Sequence, residues 1–377
     1  MLKNVLSRIG ANLSNGRAKI IFGSLGWGNR KEIFSYARKL VEGRFSDVEF
    51  FEGDTVDEFK KMNLSRNSEK RACLLIDNIF ERSDFTVLIN QAFGNRNVTI
   101  IGVSSFDPIS VDYNKMTTIA GRYESYYLAS HAFSEIPFDV DFTAYLSKGG
   151  LLFKDNEDYL NKSLARIEKE MNSRKLEALR GFFRFVVENS GRPWSERALS
   201  TSVAATLSPN TIGKYLDIYV ENFLLYRLEG FDFLRMRKIG GNFRLYPFDT
   251  SLYGFSQREA AMNVDLLSMT PLIGRLKEEG YDCYYGYFHQ QRMLSGGTRR
   301  YQDENVGIYA TDGNRQLVFA LNIGGPDGTE QNISRISPTV EKYIVESGKS
   351  PAEYDNVGVR HVGIEYLLGD EFDWRRR

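Results

Sequence analysis

A glycine-rich stretch near the N-terminus has the residue types of a phosphate-binding loop. Gly23 and Gly28 have the spacing of a P-loop, and they lie between the apolar residues 20–22 and an amphipathic helix predicted over 31–41. Backbone N–H groups in such a loop, and the N-terminus of the following helix, attract phosphate. The P-loop pattern continues with Lys and then Ser or Thr, whereas this chain has Asn29 and Arg30. The predicted contacts of a nucleotide, if one binds, are Gly23, Ser24, Gly26, Gly28, Asn29, Arg30 and Lys31.

A second candidate is an acid at the end of an apolar run. Residues 72–76 are apolar and precede Asp77 and Asn78, which is typical of a buried parallel strand with a polar carboxyl end. Ser104 and Ser105 end a later apolar run. Because ligands of parallel α/β sheets bind at the carboxyl ends of the strands, we expect the glycine loop, Asp77 and these serines to converge.

The elements that position these residues alternate along the first 130 residues. Strands predicted at 18–22, 47–51, 72–76, 98–102 and 123–128 alternate with helices, which indicates a mostly parallel, three-layer α/β domain. We predict this P-loop-like domain at residues 1–150. A helical segment follows at 151–255, with a helix-turn-helix formed by helices at about 195–205 and 212–228. Residues 256–377 mix strands with a helix and indicate a small third α/β domain.

Composition excludes several classes of protein. The chain has 49 basic and 49 acidic residues, so it has no global attraction to nucleic acid or to acidic membranes. Cys73 and Cys283 are its only cysteines and its three histidines are far apart, which fits neither a disulfide framework nor a zinc site. The chain lacks an apolar run near the length of a membrane span, and its N-terminus does not fit a signal peptide. We expect a cytoplasmic protein without membrane association.

The order of several motifs resembles a known family. The chain contains, in order, IIFGSLGWGNRK, LLIDN, TIIGVSSFD, AGRYESYYLASHAFSEI, YLSKGG, WSERALSTSVAATLSPNTIGKYLDIYVENFLLYRLEGF, YPFDTSL and LKEEGYDCYYG. This order resembles the bacterial and archaeal AAA-type ATPases that carry a winged-helix segment and a restriction-endonuclease-like C-terminal domain. The resemblance covers nearly the whole chain. One departure is Ser251, which stands where the family's Asp-x-Gly-Leu element has Gly.

The resemblance implies an ATP site with magnesium. In such a site a P-loop Lys neutralises phosphate, a hydroxyl residue and an Asp hold magnesium, and an acidic residue after that Asp activates water. Asp77 matches the magnesium-side Asp, but Asn29, Arg30 and Asn78 replace the Lys, the hydroxyl residue and the Glu. The resemblance therefore implies a degenerate ATP site.

Arg122 matches a Gly-Arg of the family and is a candidate phosphate sensor. The alternative is a structural arginine that pairs with an acid such as Glu124 or Glu135.

For the C-terminal domain, the resemblance implies a nuclease-like site that holds magnesium with a helix Glu and an acid pair on adjoining strands. Met269 falls near the helix position, and the strand segments lack acids at the expected places. We interpret Asp303, Glu304 and Asp312 as solvated acids at strand ends, so this site is predicted to be degenerate as well.

The winged-helix resemblance raises DNA binding as an alternative. A DNA-reading helix normally presents several basic or amide side chains, but the predicted second helix offers only Lys214 and Arg227 as cations. A better basic cluster follows it, formed by Arg235, Arg237, Lys238 and Arg244, which suits phosphate or an acidic partner.

Together these features favour a catalytically degenerate, AAA-like protein with a non-enzymatic interaction or regulatory role. Its expected partner is another protein or a second copy of the chain, with ATP and magnesium as weak ligands at most. The first alternative is an ATPase in which Arg30 or Lys31 replaces the missing Lys. The second is a DNA-binding regulator built on the winged helix.

Overall fold

The computed structural model describes residues 2–23, 30–59, 70–107, 113–130, 133, 140–150, 156–168, 171–202, 207–255, 263–293, 299–324 and 329–374. The chain divides into two compact units. The first comprises Met1–Ala129 with Glu221–Phe223, and the second comprises Ser130–Val220 with Leu224–Arg377. Among the described residues, no helix combines the length and the apolar character that crossing a membrane requires.

The first unit is built on a parallel sheet, as predicted. Its strands are β1 (Ala18–Gly23), β2 (Val48–Glu52), β3 (Arg71–Ile76), β4 (Val98–Ser104) and β5 (Tyr123–Leu128). They lie in the order β2-β3-β4-β1-β5, and each neighbouring pair is parallel. All residues of β1 and β4 are buried, as expected for central strands covered on both faces.

Helices cover this sheet. They are α1 (Leu2–Asn12), α2 (Arg30–Glu42), α3 (Val56–Phe59), α4 (Phe85–Ala92) and α5 (Tyr113–Thr118). Ile9 of α1 and Ala37 of α2 are fully buried in one core with Leu75 and Ile101 of the sheet. The amphipathic helix predicted over 31–41 is thus found as α2, with its apolar face in this core.

The second unit begins with helices and continues into a large mixed sheet. Its elements are α6 (Phe142–Lys148), α7 (Asn156–Glu168), α8 (Ser173–Glu188), β6 (Pro193–Trp194), α9 (Glu196–Ser202), α10 (Pro209–Glu221), β7 (Leu225–Asp232), β8 (Arg237–Pro247), α11 (Val264–Glu278), β9 (Asp282–Met293), β10 (Arg299–Thr311), β11 (Gln316–Leu321), α12 (Thr329–Ile333), β12 (Glu341–Glu346), β13 (Glu353–Tyr354), β14 (Arg360–Gly363) and α13 (Ile364–Leu367). The nine strands lie in the order β13-β14-β12-β11-β10-β9-β7-β8-β6.

The strand pairing in this sheet disagrees with the domain boundaries expected from the sequence. We predicted a boundary between residues 255 and 256, but β7 pairs in parallel with β9, for example at Gly230 and Tyr285. Strands from the predicted second and third domains therefore belong to one sheet. The predicted boundary at 150 also differs, because the second unit already begins at Ser130.

The predicted helix over 212–228 is too long. The helix α10 ends at Glu221, and Phe223 has a positive φ of 53°. Residues from Leu225 onward then pair with β8, beginning with Leu225 opposite Pro247. The apolar run 223–226 is too short to show whether it belongs to a helix or to a buried strand, and the pairing with β8 decides in favour of the strand.

Candidate functional site

The carboxyl edge of the first sheet carries the candidate nucleotide site. The glycine loop follows β1 and precedes α2, but Ser24, Gly26, Gly28 and Asn29 lie outside the described residues. Gly23 is described as the last residue of β1, opposite Leu128 of β5. A Cβ at Gly23 would lie only 3.0 Å from the Leu128 carbonyl oxygen. The close approach of β5 therefore favours glycine at this position, whether or not a phosphate binds.

Arg30 and Asp77 meet at this edge. Arg30 is the first residue of α2, and Asp77 directly follows β3. Arg30 Nη1 donates to both carboxylate oxygens of Asp77, at 2.6 Å and 2.5 Å. The Arg30 side chain is 26% exposed and that of Asp77 is 45% exposed, so the ion pair is partly solvated. The structure therefore brings the predicted phosphate-loop residue and the predicted magnesium acid into direct contact.

Asn78 and Ser105 also meet beside Asp77. Asn78 has a left-handed backbone conformation, with φ 42° and ψ 52°, which asparagine tolerates better than most residues. Its side-chain oxygen accepts a hydrogen bond from Ser105 Oγ at 3.0 Å. Ser104 Oγ instead donates to the carbonyl oxygen of Phe106. The predicted convergence of Asp77 with Ser105 is thus found, but the residue after Asp77 offers an amide and no base.

A cavity of about 560 Å³ lies on the β2 side of Asp77. Its apolar wall is formed by buried side chains of α2, α3 and β3. These are Phe34, Val56, Leu75 and Ile76. Its polar wall contains Arg30 and Lys31 from the predicted site, together with Glu52, Asp77 and Arg82. Arg82 was missed by the sequence analysis, although its place shortly after Asp77 is a usable signal.

Arg122 lies away from this edge. It directly precedes β5, whose first residue pairs with Ala18 at the start of β1, so Arg122 is at the amino ends of the strands. Six residues of strand separate it from the glycine loop, roughly 20 Å at about 3.3 Å per residue. Arg122 Nη1 donates to Asn90 Oδ1 at 2.5 Å, and its guanidinium lies over the Phe93 ring. The structure therefore assigns Arg122 a structural contact and removes it from the candidate nucleotide site.

The predicted partner Glu124 contacts Lys19 instead, at 3.0 Å. The other predicted partner, Glu135, lies outside the described residues.

The second unit has a smaller cavity beside Met269, the residue that the sequence analysis places near the helix position of a predicted nuclease-like site. Its volume is about 250 Å³, and Asp265, Met269, Asn305 and Gly307 all line it. Asp265 is the acid among these lining residues, and its Oδ1 accepts the N–H of Ile323 at 2.6 Å. Within the described residues, no group of three or more His, Cys, Asp or Glu side chains is arranged to hold a metal.

The three acids interpreted as strand-end residues have local partners. Asp303 contacts His289 at 2.6 Å, and Glu304 contacts Arg335 at 2.6 Å. Asp312 accepts backbone N–H groups of its own turn, from Asn314 and Arg315. Asp312 therefore fits the interpretation as a solvated acid at a strand end. For Asp303 and Glu304 that interpretation is wrong, because both lie within β10, opposite His289 and Phe288 of β9, and the Glu304 side chain is only 11% exposed.

The predicted basic cluster is divided between two faces of the large sheet. Arg235 and Arg237 lie at the tip of the β7–β8 hairpin, next to Lys238, whose Nζ is 4.4 Å from the Tyr284 ring centroid. The Arg244 guanidinium lies 4.8 Å from the ring centroid of Tyr285. Tyr284 and Tyr285 are successive residues of β9, and successive side chains of a strand point to opposite faces. Arg244 is therefore on the opposite face from Lys238, and Lys214 is on the exposed surface of α10.

One family model matches part of the chain. The model, described as a domain of unknown function (DUF8612), matches residues 150–261, which is less than half of the chain and does not place the chain in a family. No curated protein matches the chain.

Several solved structures are weakly similar. One is a structure of Drosophila ORC bound to AT-rich DNA and Cdc6, with 13% identity, coverage of 65% of this chain and 87% of that chain, and a TM-score of 0.23. Another is C. elegans PCH-2, with 13% identity, coverage of 57% and 65%, and a TM-score of 0.24. A third is protein VC1899 from Vibrio cholerae, with 12% identity, coverage of 93% and 95%, and a TM-score of 0.20. At these TM-scores the likenesses carry no conclusion about function.

Proposed function

We propose that this chain is an AAA-like protein with a non-enzymatic interaction or regulatory role, in which the would-be ATP site no longer supports hydrolysis. The observation that carries the proposal is the ion pair between Arg30 and Asp77. Arg30 Nη1 lies 2.5 Å and 2.6 Å from the two carboxylate oxygens that a magnesium ion would need.

The residues at this edge do not fit magnesium. A guanidinium group is a donor only and cannot ligate a cation, so Arg30 cannot replace the hydroxyl ligand of a P-loop. Asp77 is the remaining candidate ligand, and both of its carboxylate oxygens already accept hydrogen bonds from Arg30. We therefore derive no catalytic step through a metal at this position.

The proton acceptor is missing as well. An amide side chain cannot act as a general base, and the Asn78 side-chain oxygen already accepts from Ser105. The runner-up function, ATP hydrolysis with Arg30 replacing the P-loop Lys, requires Arg30 to leave Asp77 and face phosphate. The pairing of Arg30 with Asp77 counts against it. Weak nucleotide binding through the glycine loop is compatible with the proposal, whereas turnover is not.

Thermal unfolding with and without ATP and magnesium tests the proposal, together with a phosphate-release assay. A ligand at a hundred times its dissociation constant stabilises the folded state by about 2.7 kcal/mol, which shifts the melting temperature by several degrees. We expect no such shift with the natural chain and no phosphate release above background.

The triple variant Asn29→Lys/Arg30→Thr/Asn78→Glu is the matched positive control, because it restores the charge, the hydroxyl group and the base. It should gain a magnesium-dependent shift. Turnover by the natural chain that is abolished in Asp77→Ala would establish an ATPase and refute the proposal. Light scattering adds a second readout, because any self-assembly should be the same with and without ATP and magnesium.

A further inference from the structure

The 560 Å³ cavity on the β2 side of Asp77 is large enough to hold a small molecule. Ligand pockets of proteins have volumes of about 300–1,000 Å³ and combine an apolar wall with a few fixed polar groups. Here the apolar wall includes Phe34 and Leu75, which are 4% and 0% exposed. The cavity adjoins the predicted nucleotide site, since Arg30 and Asp77 line it, and it extends from there toward β2, on the side of β3 away from β1.

Two guanidinium groups are held in fixed positions on its polar wall. Arg82 donates from Nε to Asp84 at 3.0 Å and from Nη2 to Asp57 at 2.8 Å. The hydrogen bond with Asp84 raises the pKa of Arg82, so this group is always charged. Arg30 uses Nη1 for its contacts with Asp77. Since a guanidinium group carries five N–H donors, each arginine has donors beyond those used in its ion pair.

The charges on the wall favour an anion over a cation. Three cations line the cavity, namely Arg30, Lys31 and Arg82, against two carboxylates. Both of these carboxylates already accept from arginines, since Asp77 contacts Arg30 and Glu52 contacts Arg38 at 2.7 Å. A cationic ligand would have to displace an arginine, whereas an anion can share the guanidinium groups with the carboxylates that hold them.

We propose that this cavity binds a small organic anion with an aromatic or apolar body. The body lies against the wall formed by Phe34 and Leu75. The acidic group, a carboxylate, sulfonate or phosphate, accepts hydrogen bonds from Arg82 and Arg30, for which guanidinium geometry is well suited. This inference goes beyond the proposed function and does not depend on whether ATP is hydrolysed.

A fluorescence titration with 8-anilinonaphthalene-1-sulfonate tests the proposal, because this probe has an aromatic body and one sulfonate. The neutral N-phenyl-1-naphthylamine is the matched probe without the charge. We expect saturable binding of the sulfonate and at least about tenfold weaker binding by Arg82→Gln, since hydrogen bonds to charged groups have this magnitude. Binding of the neutral probe should be unchanged in that variant.

Arg71→Gln is the matched control variant. It removes the same charge at the opposite, amino end of β3, so the sulfonate should bind it like the natural chain. Asp77→Asn should strengthen binding by about threefold, because it removes the carboxylate that competes for Arg30. Lys31→Gln, at an exposed position, should also weaken binding, and it is the test variant if Arg82→Gln does not fold.

Two results would overturn the proposal. The first is an equal loss of sulfonate affinity in Arg71→Gln and Arg82→Gln, or in Arg71→Gln and Lys31→Gln. It would show that the probe responds only to the net charge of the protein and not to a specific site. Equal affinity for the neutral and charged probes in all variants would show an apolar surface without an anion site. Because the probes contain no phosphate and need no magnesium, either result leaves the ATP experiments independent.

Discussion

Gly149 packs so closely against Asp249 that a side chain at position 149 would overlap Asp249 Oδ1. Asp249 is fully buried, and its Oδ2 accepts the N–H of Gly150 at 2.8 Å. Its Oδ1 accepts the N–H of Ser251, also at 2.8 Å. Two motifs that lie a hundred residues apart, the paired glycine and the Asp-containing element, therefore form one contact in the second unit. This contact gives both motifs a structural reason.

Gly149→Ala should destabilise the second unit strongly. Gly149 has φ 75° and ψ 176°, a backbone region that is essentially restricted to glycine. The conformational cost alone is about 1–3 kcal/mol, and the overlap with Asp249 adds to it. Urea unfolding measures the change. Gly181→Ala is the control, because a Cβ at this position on α8 meets no atom within 4 Å. It should be neutral or stabilising by about 0.5–1 kcal/mol, and an equal loss in both variants would contradict the argument.

Glu124→Gln should destabilise the first unit at neutral pH. Lys19 on β1 is fully buried, and its Nζ donates to Glu124 at 3.0 Å and to Asn15 at 2.5 Å. Burial lowers the pKa of Lys19, and removing the carboxylate would leave this ammonium group without its counter-charge. We expect a loss of about 1–3 kcal/mol in the free energy of unfolding.

The same substitution should change the pH dependence of stability. Burial alone would raise the pKa of Glu124, but hydrogen bonds from Lys19 and Tyr126 hold it below its usual value. A lowered pKa in the folded state contributes stability that is present above the unfolded-state pKa and is lost as pH falls through the folded-state pKa. The difference between the natural chain and Glu124→Gln should therefore shrink on acidification. Glu49→Gln, at an exposed position on β2, is the control. A difference that stays constant with pH would disprove this role of Glu124.

The sequence predicts the first sheet well because its central strands, β1 and β4, are buried on both faces and are mainly apolar or small. The strand over 123–128 matches β5, and Asp77 and Arg30 lie at the predicted edge. The sequence does not predict which side chains pair there, because the partner of a charged group depends on strand order. Arg122 illustrates this point, since it contacts Asn90 and Phe93 from outside the predicted set. The large sheet was missed because the pairing of Gly230 with Tyr285 joins segments that local patterns describe as separate domains.

Duplex DNA should bind weakly at physiological salt, through the hairpin tip. The double variant Arg237→Gln/Lys238→Gln should reduce the slope of log affinity against log salt by about 1.8, since each phosphate contact contributes about 0.9. Fluorescence anisotropy with a labelled duplex at several salt concentrations measures this slope. Arg244→Gln removes a cation of β8 that lies over the Tyr285 ring, away from the hairpin tip, and should leave the slope unchanged. Tight binding with sequence preference at physiological salt would instead favour the DNA-regulator alternative.

Arg30→Thr alone should allow Asp77 to take up a divalent cation. The substitution removes the guanidinium group from both carboxylate oxygens and places a hydroxyl group, which is a magnesium ligand, at the start of α2. Manganese is the probe, because its binding is measured directly by water-proton relaxation without nucleotide or turnover. We expect the natural chain to show no site and the variant to show one.

Arg38→Thr is the matched control for the manganese experiment, because it releases Glu52, the other carboxylate of the cavity wall, from its arginine. That release supplies an acid without a hydroxyl group at the start of α2, so manganese should not bind. If Arg30→Thr also fails to bind manganese, the ion pair is not what excludes the metal, and the loss of the P-loop pattern has to be explained by the rest of the glycine loop. If both variants bind it, exposed carboxylates alone account for the result, because a partly solvated ion pair contributes only about 0.2–1 kcal/mol.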